Sequence, residues 1–233
     1  MVKAVIFDLD NTLIDFVKMK KLACEAAVNA MIDNGLNASK SKAMNTLFDL
    51  FNRHGWEHQK IFQYLFKELT GRIDYKAMSA GIVAYRRVKD GLLYSYPGVA
   101  PTLRELKAKG LKLAILSDAP RIQAWLRLAA MGLHQEFDVV VTFDDVKRKK
   151  PAPEPFLLAL KKLKVKPREA VMVGDSPQRD IATAQRLGMT TVLAGYGSAR
   201  FLSSKKTAMQ AKSRAKPDFV IKDVRSLLRV VSE

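Results

Sequence analysis

The chain has 233 residues, 48% of them hydrophobic and 27% charged, the composition of a soluble globular protein long enough to bury a full core in one large or two smaller domains. No apolar run approaches the ~20 residues that a transmembrane helix needs, and no signal peptide is visible, so a cytoplasmic setting is expected. Lys and Arg number 40 against 23 Asp and Glu, a net charge of +17 that favours anionic partners.

In chain order, the first element is Ala4-Val5-Ile6-Phe7, short and β-branched enough for a buried strand. It ends on Asp8 and Asp10. Alternate residues of an extended chain point the same way, so the two carboxylates are expected to share a direction. Like charges that close need a cation, or a raised pKa that keeps one protonated. Both suit phosphate chemistry: one carboxylate attacks, the other handles a proton, and a hard divalent ion tempers the repulsion. A lone Asp-x-Asp is more often a pair of loop acids, so the later segments decide.

After Asp15 the strand pattern stops, and residues 16–93 read as helices. Phe16 to Asn34 ends at Gly35, Ser39 to His54 follows, Glu57 to Leu69 ends before Gly71, and Asp74 to Lys89 ends before Gly91. Cys24, the single cysteine, lies in the first as a packed small side chain, which excludes an intrachain disulfide and fits a reducing compartment. His54, His58 and His134 are too scattered for a zinc site. In the interhelical stretch Asn52-Arg53-His54-Gly55-Trp56, Arg53 could bind an anionic leaving group and Trp56 pack on its apolar part. The plain alternative is a core Trp and a solvated Arg. Lys18 and Lys21 are further candidates for the same task.

Pro97-Gly98-Val99 turns the chain into a helix, Ala100 to Lys109, and the strand Leu111 to Leu116 then ends on Ser117 and Asp118. A hydroxyl and backbone N–H groups at a strand-to-helix junction suit a phosphate oxygen, although Ser or Asp there is commonly an N-cap. Pro151, Pro153 and Pro155 stiffen the approach to a helix beginning near Pro155, a rigid mount for the ammonium of Lys150. Lys149 competes for that role, and a solvated basic run is the plain alternative. A third strand, Ala170 to Val173, ends on Gly174 and Asp175, and Asp180 follows five positions later, near a helix start. Gly174 permits a tight turn, and the two acids could face one ion.

The order of these motifs, each at the carboxyl end of a predicted strand, is specific, because open parallel sheets bind ligands beyond those ends. The chain resembles the haloacid dehalogenase superfamily of hydrolases, most of which are magnesium-dependent phosphatases. Asp8-x-Asp10-x-Thr12 matches its first motif, Ser117 the second, Lys150 the third, and Gly174-Asp175 with Asp180 the fourth. The resemblance spans about residues 3–195, with a last strand and helix expected after 217. Asn11 stands where Gly is common, and Asn tolerates left-handed backbone.

The expected fold is α/β: a Rossmann-like parallel sheet with helices on both faces, from 1–15 and 94–233, carrying an α-helical cap, 16–93. The cap looks like the family's insertion at that point and would close over the cleft and select substrate. Asp8 would attack phosphorus and Asp10 move the protons. Mg²⁺ would be held by Asp8, the Asp10 backbone carbonyl and Asp175, with Asp180 in support. Ser117, Lys150 and N–H groups near Asn11 and Thr12 would hold phosphoryl oxygens, with Asp118 beside them. The expected substrate is a small phosphorylated metabolite. A phosphotransferase or mutase differs only in acceptor. A 2-haloacid dehalogenase needs neither a second acid nor a metal, so Asp10 and Asp175 argue against it. The basic stretch from Tyr196 to Lys216 has six cationic residues and no acid, yet aromatics are not interleaved with the basic runs. Nucleic-acid binding is therefore expected to be at most weak and salt-dependent.

Overall fold

The computed structural model describes residues 1–198 and 215–232. The basic stretch 199–214, which the sequence reads as a loop or a helix, lies outside them. The chain divides into two compact units: Met1–Phe16 with Tyr94–Glu233, and Val17–Leu93.

Among the described residues, one parallel sheet organises the first unit. Its strands are β1 (Ala4–Phe7), β2 (Lys112–Leu116), β3 (Val139–Val141), β4 (Ala170–Gly174), β5 (Thr190–Ala194) and β6 (Phe219–Ile221), in the order β3-β2-β1-β4-β5-β6. β1 is central, with Phe7 opposite Ile115 on one side and Val173 on the other. Apolar residues on both sides of this strand explain why it reads as an unbroken hydrophobic run.

Residues of alternate parity on β1 enter different cores. Val5 and Phe7 pack with Leu103 and Leu106, Ala124 and Leu128, and Leu227. These come from helices α5 (Val99–Ala108), α6 (Arg121–Ala130) and α11 (Leu227–Val230). Ala4 and Ile6 pack with Phe156, Leu160 and Ala184, from α8 (Glu154–Leu163) and α9 (Ala182–Arg186). Helices thus cover both faces. The expected α/β class is observed.

Strands β3 and β5 add to those the apolar runs predict. β3 is a three-residue edge strand, and β5 mixes threonine with its apolar residues. Neither makes a run long enough to stand out. Short helices α7 (Phe143–Val146) and α10 (Gly195–Ser198) follow them.

The second unit is helical: α1 (Phe16–Asp33), which begins at the last residue of the first unit, α2 (Lys40–His54), α3 (Ile61–Thr70) and α4 (Tyr75–Gly91). Ser39 Oγ accepts from Lys42 N and caps α2, Asp74 does the same for Ala77 N on α4, and left-handed Gly71 closes α3. Its core gathers Cys24, Leu47, Phe51, Leu65 and Phe66, and burial pushes the Cys24 thiol up to about 12. No helix among the described residues is long and apolar enough to cross a membrane.

Phe7 lies fully buried, edge-on to Phe137 with ring centroids 6.3 Å apart. Phe7→Ala is expected to lose about 3–5 kcal/mol in urea denaturation. Val220→Ala, on an exposed position of edge strand β6, should stay within about 0.5 kcal/mol of the parent.

Candidate active site

Four loops at the carboxyl end of the sheet supply the candidate residues. The first follows β1. Asp8 N donates to Val173 O at 2.9 Å, extending the β1–β4 ladder by one residue. The chain then turns at Asn11, whose φ of 64° is left-handed, and Asn11 N donates to Ile14 O at 2.7 Å. Asparagine adopts that conformation more readily than most residues, so the departure from glycine leaves the turn intact. The Thr12 hydroxyl donates to Asp8 Oδ2 at 3.2 Å. From beyond β5, Tyr196 Oη donates to the Thr12 carbonyl at 2.8 Å, and a Cβ on Gly197 would collide with the Asn11 carbonyl. Gly197 is therefore required for the chain to pack this closely against the loop.

The second loop follows β2. Ser117 is buried, and its Oγ accepts from Ala119 N at 3.2 Å. Asp118 accepts from the Lys150 backbone N at 2.9 Å and from Arg179 Nη1 at 3.3 Å. Its contacts are a mount for two cationic residues, a role not legible from its strand-end position.

The third loop precedes α8 and delivers Lys150. Its ammonium is buried 2.5 Å from Asp8 Oδ1, 2.7 Å from Asp180 Oδ1 and 3.0 Å from the Leu116 carbonyl. Lys149 is exposed, with its Nζ 5.6 Å from the Phe143 ring centroid. The ambiguity between the two lysines is resolved by which one turns inward.

The fourth loop follows β4. Gly174 has no room for a Cβ, which would lie 2.5 Å from the Asp180 carboxylate. Ser176 Oγ accepts from Arg179 N, and Ser176 N donates to Asp180 Oδ2 at 3.0 Å across a π-helical turn, Pro177–Ile181. Asp8, Asp175 and Asp180 come together, with ligand oxygens all within 4.8 Å of one another. Asp175 Oδ1 is buried and accepts no hydrogen bond from the described residues, and Arg179 Nη2 stands 3.6 Å away. A buried, all-oxygen donor set with an unsatisfied carboxylate oxygen fits a hard divalent cation.

Asp10 departs from its expected direction. The strand ends at Phe7, so period-two alternation does not carry through to Asp10. Its side chain lies outside the Asp8–Asp175–Asp180 group, and its Oδ2 accepts from Arg127 Nη1 at 3.1 Å. Arg53 lies in the other unit and is bonded there to Glu68 Oε2 at 2.6 Å. Trp56 stacks on Phe51 at 5.4 Å between centroids, with the planes 2° apart.

Arg127 and Arg179 are the residues sequence inspection misses. Neither follows an apolar run that would single it out, and their partners, Asp10 and Asp118, lie far away in sequence.

A parallel sheet with carboxylates and a buried lysine at its carboxyl edge is the arrangement of an α/β enzyme. The chain belongs to the haloacid dehalogenase-like hydrolases, whose family model matches residues 2–188. It is 37% identical over 231 residues to a glyceraldehyde 3-phosphate phosphatase of Methanocaldococcus jannaschii, covering 99% of this chain and 97% of that protein. Among solved structures, a HAD phosphatase from Thermococcus onnurineus superposes with a TM-score of 0.69 at 28% identity, covering 99% of this chain and 98% of that one. A 2-haloacid dehalogenase from Pseudomonas syringae gives 0.63 at 25%, covering 100% and 99%.

Four acids, Asp8, Asp118, Asp175 and Asp180, face two cations, Lys150 and Arg179. Burial raises the Asp8 carboxyl to about 6, Lys150 opposing and Asp180 assisting. Burial, then Asp8 and Asp180, raise Asp175 well above the usual range. A cation binds the ionised forms, so protons compete with it in acid. Affinity for Mg²⁺ or Mn²⁺ should therefore rise as pH increases from about 5 to 7. Calorimetry near pH 5.5 in buffers of different ionisation enthalpy should report net proton release; heats independent of buffer would contradict it.

Proposed function

We propose that this hydrolase is a phosphatase that cleaves a small phosphate monoester through an aspartyl-phosphate, with glyceraldehyde 3-phosphate the first substrate to test. The observation that carries this is Asp8, buried at the end of the central strand, 2.5 Å from the Lys150 ammonium and grouped with Asp175 and Asp180. The named activity of the 37% identical relative supports the substrate choice.

In this reading an Asp8 carboxylate oxygen attacks phosphorus as the ester P–O bond breaks. Asp10 gives its proton to the departing oxygen. Asp10 then takes a proton from the water that attacks the aspartyl-phosphate, which frees phosphate and restores Asp8. Lys150 and Ser117, with backbone N–H groups near Asn11 and Thr12, hold the non-bridging oxygens. Asp118 contributes through Lys150, whose backbone it grips. Asp8, Asp175, Asp180 and the Asp10 carbonyl would hold Mg²⁺, which when bound offsets the charge of carboxylates and phosphoryl group. Displacement at carbon needs neither Asp10 nor Asp175, and both are present here. That favours phosphorus as the electrophile.

Asp8→Asn should abolish turnover of glyceraldehyde 3-phosphate. Asp10→Asn should slow it roughly 10²–10⁴-fold. With an aryl phosphate, whose leaving group hardly needs a proton, Asp10→Asn should accumulate added phosphate mass on the Asp8 peptide. Label on Ser117, or full turnover in chelator, would refute the mechanism.

Residues 16–93 are proposed as the substrate-selecting cap, with Arg53 among its contacts. Arg53→Ala should then reorder the preference among natural phosphates more than it changes aryl phosphate turnover. Equal effects on every substrate would leave Arg53 as the surface partner of Glu68.

A further inference from the structure

Helix α6 carries an arginine in its core-facing stripe. Ala124 and Leu128 enter the apolar core, and Arg127, one position before Leu128, is only 5% exposed. On the same helix Ile122, Trp125 and Leu126 are exposed, the reverse of what their chemistry favours. A buried guanidinium is costly unless it is paired. Arg127 Nη1 donates to Asp10 Oδ2 at 3.1 Å, across 117 residues of sequence, and the guanidinium carbon lies 4.6 Å from the Phe16 ring centroid. The aromatic face and the carboxylate fix the plane of the guanidinium.

Asp10 stands two residues from Asp8, within a cluster that attracts cations, yet its carboxylate is kept out of the Asp8–Asp175–Asp180 group. We infer that Arg127 is the positioning residue of the acid–base carboxyl: by anchoring Oδ2 it stops Asp10 swinging toward the metal-binding group and holds it for proton transfer. This rests on the proposed role of Asp10. Arg127 gives up no proton and touches no substrate. The proton passes from Asp10 to the departing oxygen as that oxygen's bond to phosphorus breaks, and a proton of the attacking water later returns to Asp10.

The test is steady-state kinetics at saturating Mg²⁺ on an alkyl phosphate and on nitrophenyl phosphate. Arg127→Met keeps the buried stem and removes the anchor. Misplacing a catalytic group by an ångström can cost about 10²-fold, so kcat on the alkyl ester should fall roughly 10–100-fold, with a much smaller fall on the aryl ester. KM should change little on either. Arg127→Lys should recover part of the loss. In an Asp10→Asn background Arg127→Met should add less than about threefold, because the two act as a unit. Equal losses on both esters, a change confined to KM, or additivity with Asp10→Asn would reduce Arg127 to a structural ion pair and overturn the inference. Thermal melts accompany each variant; if Arg127→Met does not fold, Arg127→Gln and Arg127→Lys carry the same comparison. Should Asp10→Asn itself fail to distinguish the two esters, the acid–base role falls, and this inference with it. Should Asp10→Asn distinguish them and the Arg127 variants not, the inference alone fails.

Discussion

One buried ammonium organises the candidate site at the carboxyl edge of the sheet. Lys150 places a positive charge where water cannot reach it, a situation tolerated only if excellent partners replace the solvent. Asp8, Asp180 and the Leu116 carbonyl are those partners. They arrive from the ends of β1, β4 and β2, and the lysine itself from the approach to α8. Each loop thus has its conformation set by a charge that belongs to another. The same pairing lets Asp8 and Asp180 share a dry site at all. Loss of either partner would strand a buried charge, which typically costs about 3–5 kcal/mol.

The pairing leaves a surplus of negative charge, which suits the group to hold a cation. A tighter structural network would have matched every carboxylate. Here Asp175 keeps a buried oxygen that accepts no hydrogen bond from the described residues, and Asp8 is pushed up to about 6, chiefly by burial. Such strain is characteristic of sites shaped by chemistry rather than stability. Gly174 belongs to the same economy of space. Without a Cβ it lets the Asp180 carboxylate fold back over the strand end, where it meets both Ser176 N and Lys150.

How much of this was legible in the sequence depends on how local the signal is. Asp8, Ser117, Lys150 and Asp175 were visible because each follows an apolar run or a proline cluster that fixes its place in the chain. The helices of residues 17–93 were visible through glycine and Ser/Asp boundaries. β3 was not, because three valines at a sheet edge carry no period. Arg127 was hidden for a stronger reason. The helix Arg121–Ala130 buries an arginine and exposes Ile122, Trp125 and Leu126, so its apolar pattern points the wrong way. Asp118 was visible as a polar strand end but not as a clamp, since its donors, Lys150 and Arg179, lie 32 and 61 residues downstream.

The unequal jobs proposed for Asp8 and Asp10 follow from where the strand stops. Continuous extension would have aimed both carboxylates into one cluster, where two neighbouring like charges must share a proton or a metal. Asp8 instead takes one more ladder bond, to Val173 O, and stays against Lys150. Asp10, past the end of the strand, meets a second cation, Arg127, and the chain turns at left-handed Asn11 just beyond it. Each carboxylate has its own positive partner in its own direction. Lys150 is compact and fully enclosed, suited to sit against a nucleophile and a phosphoryl oxygen. Arg127 is planar and braced by Phe16, suited to hold a carboxyl in one plane. The end of the strand at Phe7 is therefore what gives the two carboxylates separate cations, the arrangement that the proposed division of labour needs.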